Sequence, residues 1–266
     1  MKNSIITLLT DFGTKDHYVA SMKGVILSIN PRVTLIDITH EVHPHDIQEG
    51  AFILANSYSC FPKGTIHLSV VDPGVGGIRN PILLVTQKYF FVGPDNGLFT
   101  LISQREKVKQ AVVLTNKKYF LLEVSSSFHG RDLFAPVAAH LSTGVAPSTF
   151  GERTDHWVEL ALGKPELRGD RLIGEVIHID TFGNLVSNID EKTLFRFMKD
   201  RPLVIHAGRK IIHGLKKRYE EEEKGKPIAI LGSGGFLEIS IREGSAQEFL
   251  KFKRGDQIIL QVISDQ

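Results

Sequence analysis

Residues 4–38 read SIITLLTDFGTKDHYVASMKGVILSINPRVTLIDI, and the fold follows from how that stretch is punctuated. Ser4–Thr10 is a short β-rich run that stops at Asp11-Phe12-Gly13. It is apolar nearly throughout rather than alternating, which suits a strand buried on both faces. Asp16–Ile29 then carries apolar residues at Val19, Met22, Val25, Ile26 and Ile29. That spacing predicts a helix, with Asp16 placed to cap it and Asn30-Pro31 to close it. Val33–Ile38 is a second strand.

The pattern continues outward. Asp46–Cys60 has helical spacing at Ile47, Ala51, Leu54 and Ala55, and Thr65–Val71 reads as a third strand ending at Asp72-Pro73-Gly74. Ile82–Thr86 and Tyr89–Val92 read as paired strands before Gly93-Pro94-Asp95-Asn96-Gly97. Alternating strands and helices predict an N-terminal α/β domain with a central, mostly parallel sheet. Ligands of such sheets bind beyond the carboxyl ends of the strands, and Asp11, His40 and Asp72 lie at or near such ends. Past about residue 163 the pattern changes to short strands between turns: Leu172–Ile179, Leu203–His206, Ile228–Leu231, Phe236–Ile241 and Gln257–Val262. These predict a smaller, all-β barrel or sandwich. The expected division is 1–163 and 170–266, with a linker at about 164–169.

Composition narrows the function classes. The 266 residues are 42% hydrophobic and 23% charged, enough for sizeable cores. A net charge of +2 gives no electrostatic footprint for nucleic acid. One cysteine, Cys60, excludes a disulfide framework and any multi-Cys metal site, and fits a reducing, cytoplasmic setting. No apolar run approaches the ~20 residues of a membrane helix. Asp11 interrupts the N-terminal apolar run before a signal-peptide core forms. The 24 glycines are clustered, at turns where a ligand can approach backbone.

Several segments carry candidate chemistry. Asp11-Phe12-Gly13-Thr14 with Asp16 sets carboxylates at a strand-to-helix turn, where one can accept both hydroxyls of a ribose or simply cap a helix. Its Asp-Phe-Gly is not the kinase motif, since no glycine-rich nucleotide loop or catalytic loop precedes it. Val71-Asp72-Pro73-Gly74-Val75-Gly76-Gly77 presents Asp72 with Arg79 in reach, and is neither a P-loop nor a dinucleotide fingerprint. Phe128-His129-Gly130-Arg131-Asp132 precedes a helical stretch, Leu133–Leu141, which Asp132 is placed to cap. His40-Glu41-Val42-His43-Pro44-His45-Asp46 is rich in metal-ligating types, but Pro44 breaks the helical His-Glu-x-x-His spacing. A polar loop is the better reading, and no metal is expected. Phe182-Gly183-Asn184 and Gly232-Ser233-Gly234-Gly235 are turns whose amide groups suit a base edge or a carboxylate. Lys216–Lys226, with Glu220–Glu223, reads as a solvated charge run.

The order of these motifs says more than any one of them. Asp-Phe-Gly-Thr, Val-Asp-Pro-Gly-Val-Gly, Gly-Pro-Asp-Asn-Gly, Phe-His-Gly-Arg-Asp, Phe-Gly-Asn and Gly-Ser-Gly-Gly-Phe-Leu-Glu-Ile run in that sequence over about residues 4–262. The chain thereby closely resembles the SAM hydroxide adenosyltransferase family, adenosine-forming S-adenosyl-L-methionine (SAM) hydrolases related to the fluorinase and chlorinase. The resemblance implies an N-terminal α/β domain, a C-terminal β-barrel, and a homotrimer whose sites lie between the N-domain of one subunit and the C-domain of the next. It implies that Asp11 holds the ribose diol, that Asp16 meets the methionine end, and that Asp72, Arg79 and His129 handle the attacking water, with His129 the natural base. Phe182, Asn184, Tyr219 and the backbone near Ile241–Glu243 would line the adenosine pocket. Asp180, Ser233 and Glu238 would meet the methionine amino or carboxylate group. SAM is then substrate and no cofactor is expected. Where the halogenating relatives carry hydroxyl residues around the halide, this chain has Asp72 and Gly130, and His45 stands where they carry an aromatic lid residue. An anionic Asp72 would repel a halide, so halogenation is disfavoured. A SAM- or adenosine-binding protein with little catalysis, and a metal-dependent hydrolase using His40–Asp46, are the other readings.

Overall fold

The computed structural model of the protein describes residues 4–199 and 201–263. The chain divides into two units, the first ending at Leu160 and the second beginning at Ala161. In the first, β1 (Ile5–Thr10), α1 (Tyr18–Ile29), β2 (Thr34–Thr39), α2 (Ile47–Ser57) and β3 (Ile66–Val70) alternate as the sequence predicts. They are followed by β4 (Pro81–Val85), β5 (Phe90–Pro94), α3 (Thr100–Arg105), β6 (Gln110–Leu114), α4 (Ala135–Ser142) and β7 (Gly151–Thr154).

One sheet holds all of these strands, in the order β2-β1-β3-β5-β4-β6-β7. The sheet is mixed rather than mostly parallel. β2, β1, β3 and β5 run parallel, whereas β5, β4, β6 and β7 are joined antiparallel. The reason is the length of the connections. Parallel neighbours need a crossover of a dozen or more residues, which α1 and α2 supply. β4 returns as β5 through residues 86–89, closed by Thr86 N–H donating to the Tyr89 carbonyl at 2.9 Å, so those strands must be antiparallel.

Helices cover both faces. Ile6, Leu8, Leu68, Leu83, Val92 and Val112 pack with Met22 and Ile26 of α1 and Val137–Ala139 of α4. Leu9, Ile82, Leu84, Phe91 and Ala111 pack with Ala51, Leu54 and Ala55 of α2 and Ile102 of α3. Neighbours such as Leu83 and Leu84 thus serve opposite faces, which is the period-2 pattern of a strand buried on both sides. Asp46 caps α2, accepting the Glu49 N–H at 2.9 Å. Asp16 does not cap α1: that position belongs to His17, and Asp16 is exposed.

The second unit contains β8 (Glu166–Arg168), β9 (Arg171–Ile179), β10 (Leu185–Asp190), α5 (Glu191–Met198), β11 (Leu203–Ala207), β12 (Lys210–His213), β13 (Pro227–Leu231), β14 (Phe236–Ile241), α6 (Ala246–Leu250) and β15 (Gln257–Val262). Its strands are all antiparallel, in the order β12-β11-β15-β9-β10-β14-β13, with β8 beside β9. A bridge from Lys216 to Ile230 brings the chain after β12 beside β13, leaving a barrel-like sheet nearly closed around Leu172, Val176, Leu185, Ile205, Ile239 and Leu260. Residues 166–168, read from sequence as part of a linker, instead form β8. Gly169-Asp170 turns it into β9, with Gly169 in the left-handed region. Among the described residues, no helix is long and apolar enough to cross a membrane.

His67 in β3 is fully buried, stacked on Phe91 at 5.0 Å between ring centres, with Nδ1 2.8 Å from Thr7 Oγ1. Burial lowers its pKa from 6.5 to about 3, so it is neutral in the fold. The unfolded chain therefore binds the extra proton between those limits. Stability contributed by the neutral ring is complete above pH 6.5 and is lost as pH falls toward 3, by at most about 1.4 kcal/mol per pH unit. Urea midpoints of wild type and His67→Phe, measured from pH 7 to pH 4, should show a shallower acid decline in the variant. Parallel curves would refute a neutral buried His67.

Candidate active site

The end of β3 builds the centre of the site. Asn96 Nδ2 donates to the Val71 carbonyl at 2.8 Å, fixing the chain just before Asp72. Asp72 accepts from Arg79 Nε at 3.0 Å on each carboxylate oxygen, and from Arg79 Nη2 on Oδ2 at 2.5 Å. The pair is largely withdrawn from water, with side chains 4% and 10% exposed, and the guanidinium lies 5.3 Å from the centre of the Phe134 ring. Arg79 Nη2 also lies 2.8 Å from His129 Nδ1. The sequence placed these three side chains 7 and 50 positions apart, and the structure brings them into one hydrogen-bonded line.

That line dictates a protonation state. Arginine has donors and no acceptor, so Nδ1 of His129 accepts, and the neutral ring carries its proton on Nε2. Burial, and then the Arg79 charge, lower the His129 pKa, against weaker opposing effects of Asp72 and Asp132. The site thus presents a neutral imidazole with an N–H to offer, beside a carboxylate already matched to a guanidinium.

Close packing holds the two segments together. Gly76 has φ +74°, and a Cβ there would lie 2.1 Å from the Ser126 carbonyl oxygen, so only glycine lets the 72–79 turn touch the segment leading to His129. This glycine serves contact between two stretches of the protein itself rather than a ligand's approach. His129 is followed by a single wide turn, Gly130–Phe134, of the π type often found at functional sites. Asp132 is not the cap of α4. It is fully buried, accepts the Ser125 N–H at 2.9 Å and pairs with Arg131, so it ties down the 125–129 segment. Phe128 packs edge-on against Phe12 and Tyr18, joining this segment to the turn after β1. Neither the Asn96 tether nor this aromatic seam was read from the sequence, although Gly-Pro-Asp-Asn-Gly marked the first.

Asp11 stands half-buried at the end of β1, its Oδ2 accepting the His45 N–H at 2.9 Å. His45 supplies that N–H from a left-handed backbone, φ +68°. The histidines of the 40–46 loop diverge: His40 turns to Thr10, and His43 to Glu49 at 2.9 Å. Among the described residues no group of three or more His, Cys, Asp and Glu side chains is arranged to hold a metal. Asp16 lies exposed on the turn between Asp11 and α1.

In the second unit, Asp180 organises the turn after β9. Its Oδ1 accepts the N–H groups of Phe182 and Asn184, each at 2.9 Å, and its Oδ2 accepts Asn184 Nδ2 at 2.8 Å. Asn184 is thereby buried and held, while Phe182 is thrust outward, 77% exposed. Glu238 of β14 lies against Gly232, where a Cβ would come 1.7 Å from its carboxylate. Burial, and the charge of nearby Asp180, hold its carboxyl above the usual carboxylate range. Ser233 is exposed at the tip of the adjoining turn. Tyr219 sits on the 216–226 loop, which is docked by Arg242 Nη1 donating to the Glu222 carbonyl at 2.7 Å. Ile241 is buried, and Glu243, at φ +57°, pairs with Lys224 at 2.9 Å. The charge run is mostly exposed, as the sequence predicts, and Arg242 ties it to the strand that ends at Ile241.

Both units match known families: residues 6–151 the SAM hydroxide adenosyltransferase N-terminal domain, and residues 174–259 its C-terminal domain. A protein of Methanocaldococcus jannaschii named (R)-S-adenosyl-L-methionine hydrolase is 37% identical over 264 residues, spanning 96% of this chain and 94% of its own. One of the same name from Salinispora tropica is 40% identical, over 95% and 96%. A fluorinase of an Actinoplanes species is 31% identical, over 72% and 74%. The crystal structure of an uncharacterized conserved protein from Thermotoga maritima superposes with a TM-score of 0.90 at 37% identity, covering 96% of this chain and 99% of that one. With both halves matched, and relatives aligned over nearly their whole length, the chain belongs to the SAM hydroxide adenosyltransferase family.

Proposed function

We propose that the protein hydrolyses S-adenosyl-L-methionine to adenosine and L-methionine. The observation that carries this is the part-buried Asp72–Arg79–His129 line that begins just past β3, in a chain of this family. Water attacks C5′ opposite the sulfonium. A C–O bond forms, the C5′–S bond breaks with its electron pair passing to sulfur, and methionine leaves as a neutral thioether. The attacking oxygen gives up one proton, which the Asp72 carboxylate accepts and passes on to solvent. The leaving group needs no acid, and the reaction as written needs no metal or cofactor. Holding water and C5′ at near-attack distance is worth up to ~7–11 kcal/mol at the limit.

Within the trio the geometry favours a division of labour. With Nδ1 engaged by Arg79, His129 offers Nε2–H to the water oxygen and fixes its position, while the Asp72 carboxylate faces the positive charge that oxygen gains as it attacks. Asp72, an acceptor, takes a hydrogen bond from the water and orients it. This replaces the expectation of His129 as base, since a base at Nε2 would require a proton on Nδ1 facing the Arg79 donor. The same pairing disfavours a halide, because the Arg79 charge is already matched by Asp72.

Asp11 takes the ribose diol and Asp16 lies toward the methionine end. Asn184, Phe182, Tyr219 and the backbone of Ile241–Glu243 receive adenosine. Asp180 and Glu238 receive the methionine ammonium, a cation that relieves their mutual repulsion, and Ser233 meets the carboxylate. We further propose a homotrimer, each site shared between the first unit of one copy and the second unit of the next. What supports this is that Ile78, next to Arg79 in the chain, Leu122 and Phe182 stand fully or mostly exposed in the single chain. The lone, exposed Cys60 fits a cytoplasmic location.

Incubation of the purified protein with SAM should release adenosine and methionine in equal amounts, and absence of both would refute the reading. His129→Ala should lose about 10²–10³-fold in kcat, the scale on which removal of one positioned active-site donor acts. His129→Gln, which keeps an N–H donor, should retain at least about tenfold more than the alanine variant; equal loss in both would restore His129 as base. Because its pKa lies below 6.5, the acid limb of kcat should fall below that value. Light scattering should give three times the 29.6 kDa chain mass, and Ile78→Asp with Leu122→Asp should lower mass and activity together.

A further inference from the structure

His40 is nearly buried, at 4% exposed, yet the proposed chemistry gives it no part. Its ring Nδ1 lies 2.8 Å from Thr10 Oγ1, at the last position of β1. Thr10 is fully buried, and its Oγ1 also accepts the Phe12 N–H at 3.2 Å. The His40 carbonyl accepts the Gly13 N–H at 2.7 Å. Asp11 therefore stands between residues that His40 restrains from both sides. On its far edge, Nε2 of His40 lies 3.0 Å from Asp37 Oδ1, and Asp37 is paired with Lys23 at 2.6 Å. The pairing of β1 with β2 skips one residue there, from Leu8–Asp37 to Leu9–Thr39. Such a bulge re-aims the residues beyond it, and here it delivers His40 to Thr10.

We propose that His40 is a positioning residue for nucleoside recognition, acting through Thr10 and Gly13 to fix the Asp11 carboxylate that reads the ribose hydroxyls. This rests on the reading of Asp11 as the ribose ligand. The directions are consistent. Phe12 N–H donates to Thr10 Oγ1, the Thr10 hydroxyl donates to Nδ1, and the ring's proton is left on Nε2, 3.0 Å from Asp37 Oδ1. His40 has no path to the reacting atoms except through the turn, so its loss should act on binding and on ribose selectivity rather than on bond-making.

The test is calorimetric titration of the intact protein with adenosine and with 2′-deoxyadenosine, alongside SAM turnover. Wild type should bind adenosine more tightly than 2′-deoxyadenosine. Thr10→Val and His40→Phe should each weaken adenosine by about tenfold, the scale of one lost hydrogen bond, and shrink the adenosine preference toward that of Asp11→Asn. In turnover, KM for SAM should rise more than kcat falls. His40→Asn, which keeps an acceptor where Nδ1 stood, should recover most of the preference. An unchanged preference in Thr10→Val, a swap of one hydroxyl for a methyl that should fold even if His40→Phe does not, would overturn the proposal while leaving the function intact. A wild type that binds no adenosine, or does not distinguish the two nucleosides, would overturn the ribose reading and this inference with it. Adenosine discrimination without SAM turnover would instead sink only the hydrolase.

Discussion

The shared guanidinium of Arg79 is the constraint on which the rest of the site depends. It is matched on one side by a carboxylate and on the other by an imidazole nitrogen. That sharing settles several matters at once. It balances the Asp72 charge, fixes which imidazole nitrogen is protonated, and adds to burial in making protonation of the ring costly. A pre-oriented donor and acceptor need no rearrangement when charge shifts in a group held between them, and this is the condition under which electrostatic stabilisation is largest.

The second unit solves a different problem with the opposite device. Asp180 gives its lone pairs to the Phe182–Asn184 turn, yet leaves a charge close enough to raise the pKa of Glu238. The first unit matches its carboxylate to a guanidinium, whereas the second holds its two carboxylates near each other without one.

Much of this was legible in the sequence, for physical reasons. Strands buried on both faces leave unbroken apolar runs, so β1 and β3 could be read from residues 5–10 and 66–70. The six motifs are turns whose glycines and carboxylates have few alternatives. What was illegible depended on pairing. The four residues at 86–89 turn β4 back as an antiparallel β5, a fact of connection length that no apolar run records. Asp16 has the composition of a helix cap, but α1 begins two residues later. His40 sat in a stretch whose composition suggests a metal, and only the bulge opposite Leu8 and Leu9 turns its ring to Thr10 instead.

The contact at Gly76 carries a consequence for how such a site can change. With no room for even one carbon between the 72–79 turn and the Ser126 backbone, the two segments are a single mechanical part made from distant stretches of chain. Neither can be exchanged alone. Transplanting new reaction chemistry into this scaffold, in the laboratory or by descent, means moving both turns as a matched cassette, and variants that alter one should survive only where the other has been altered to fit.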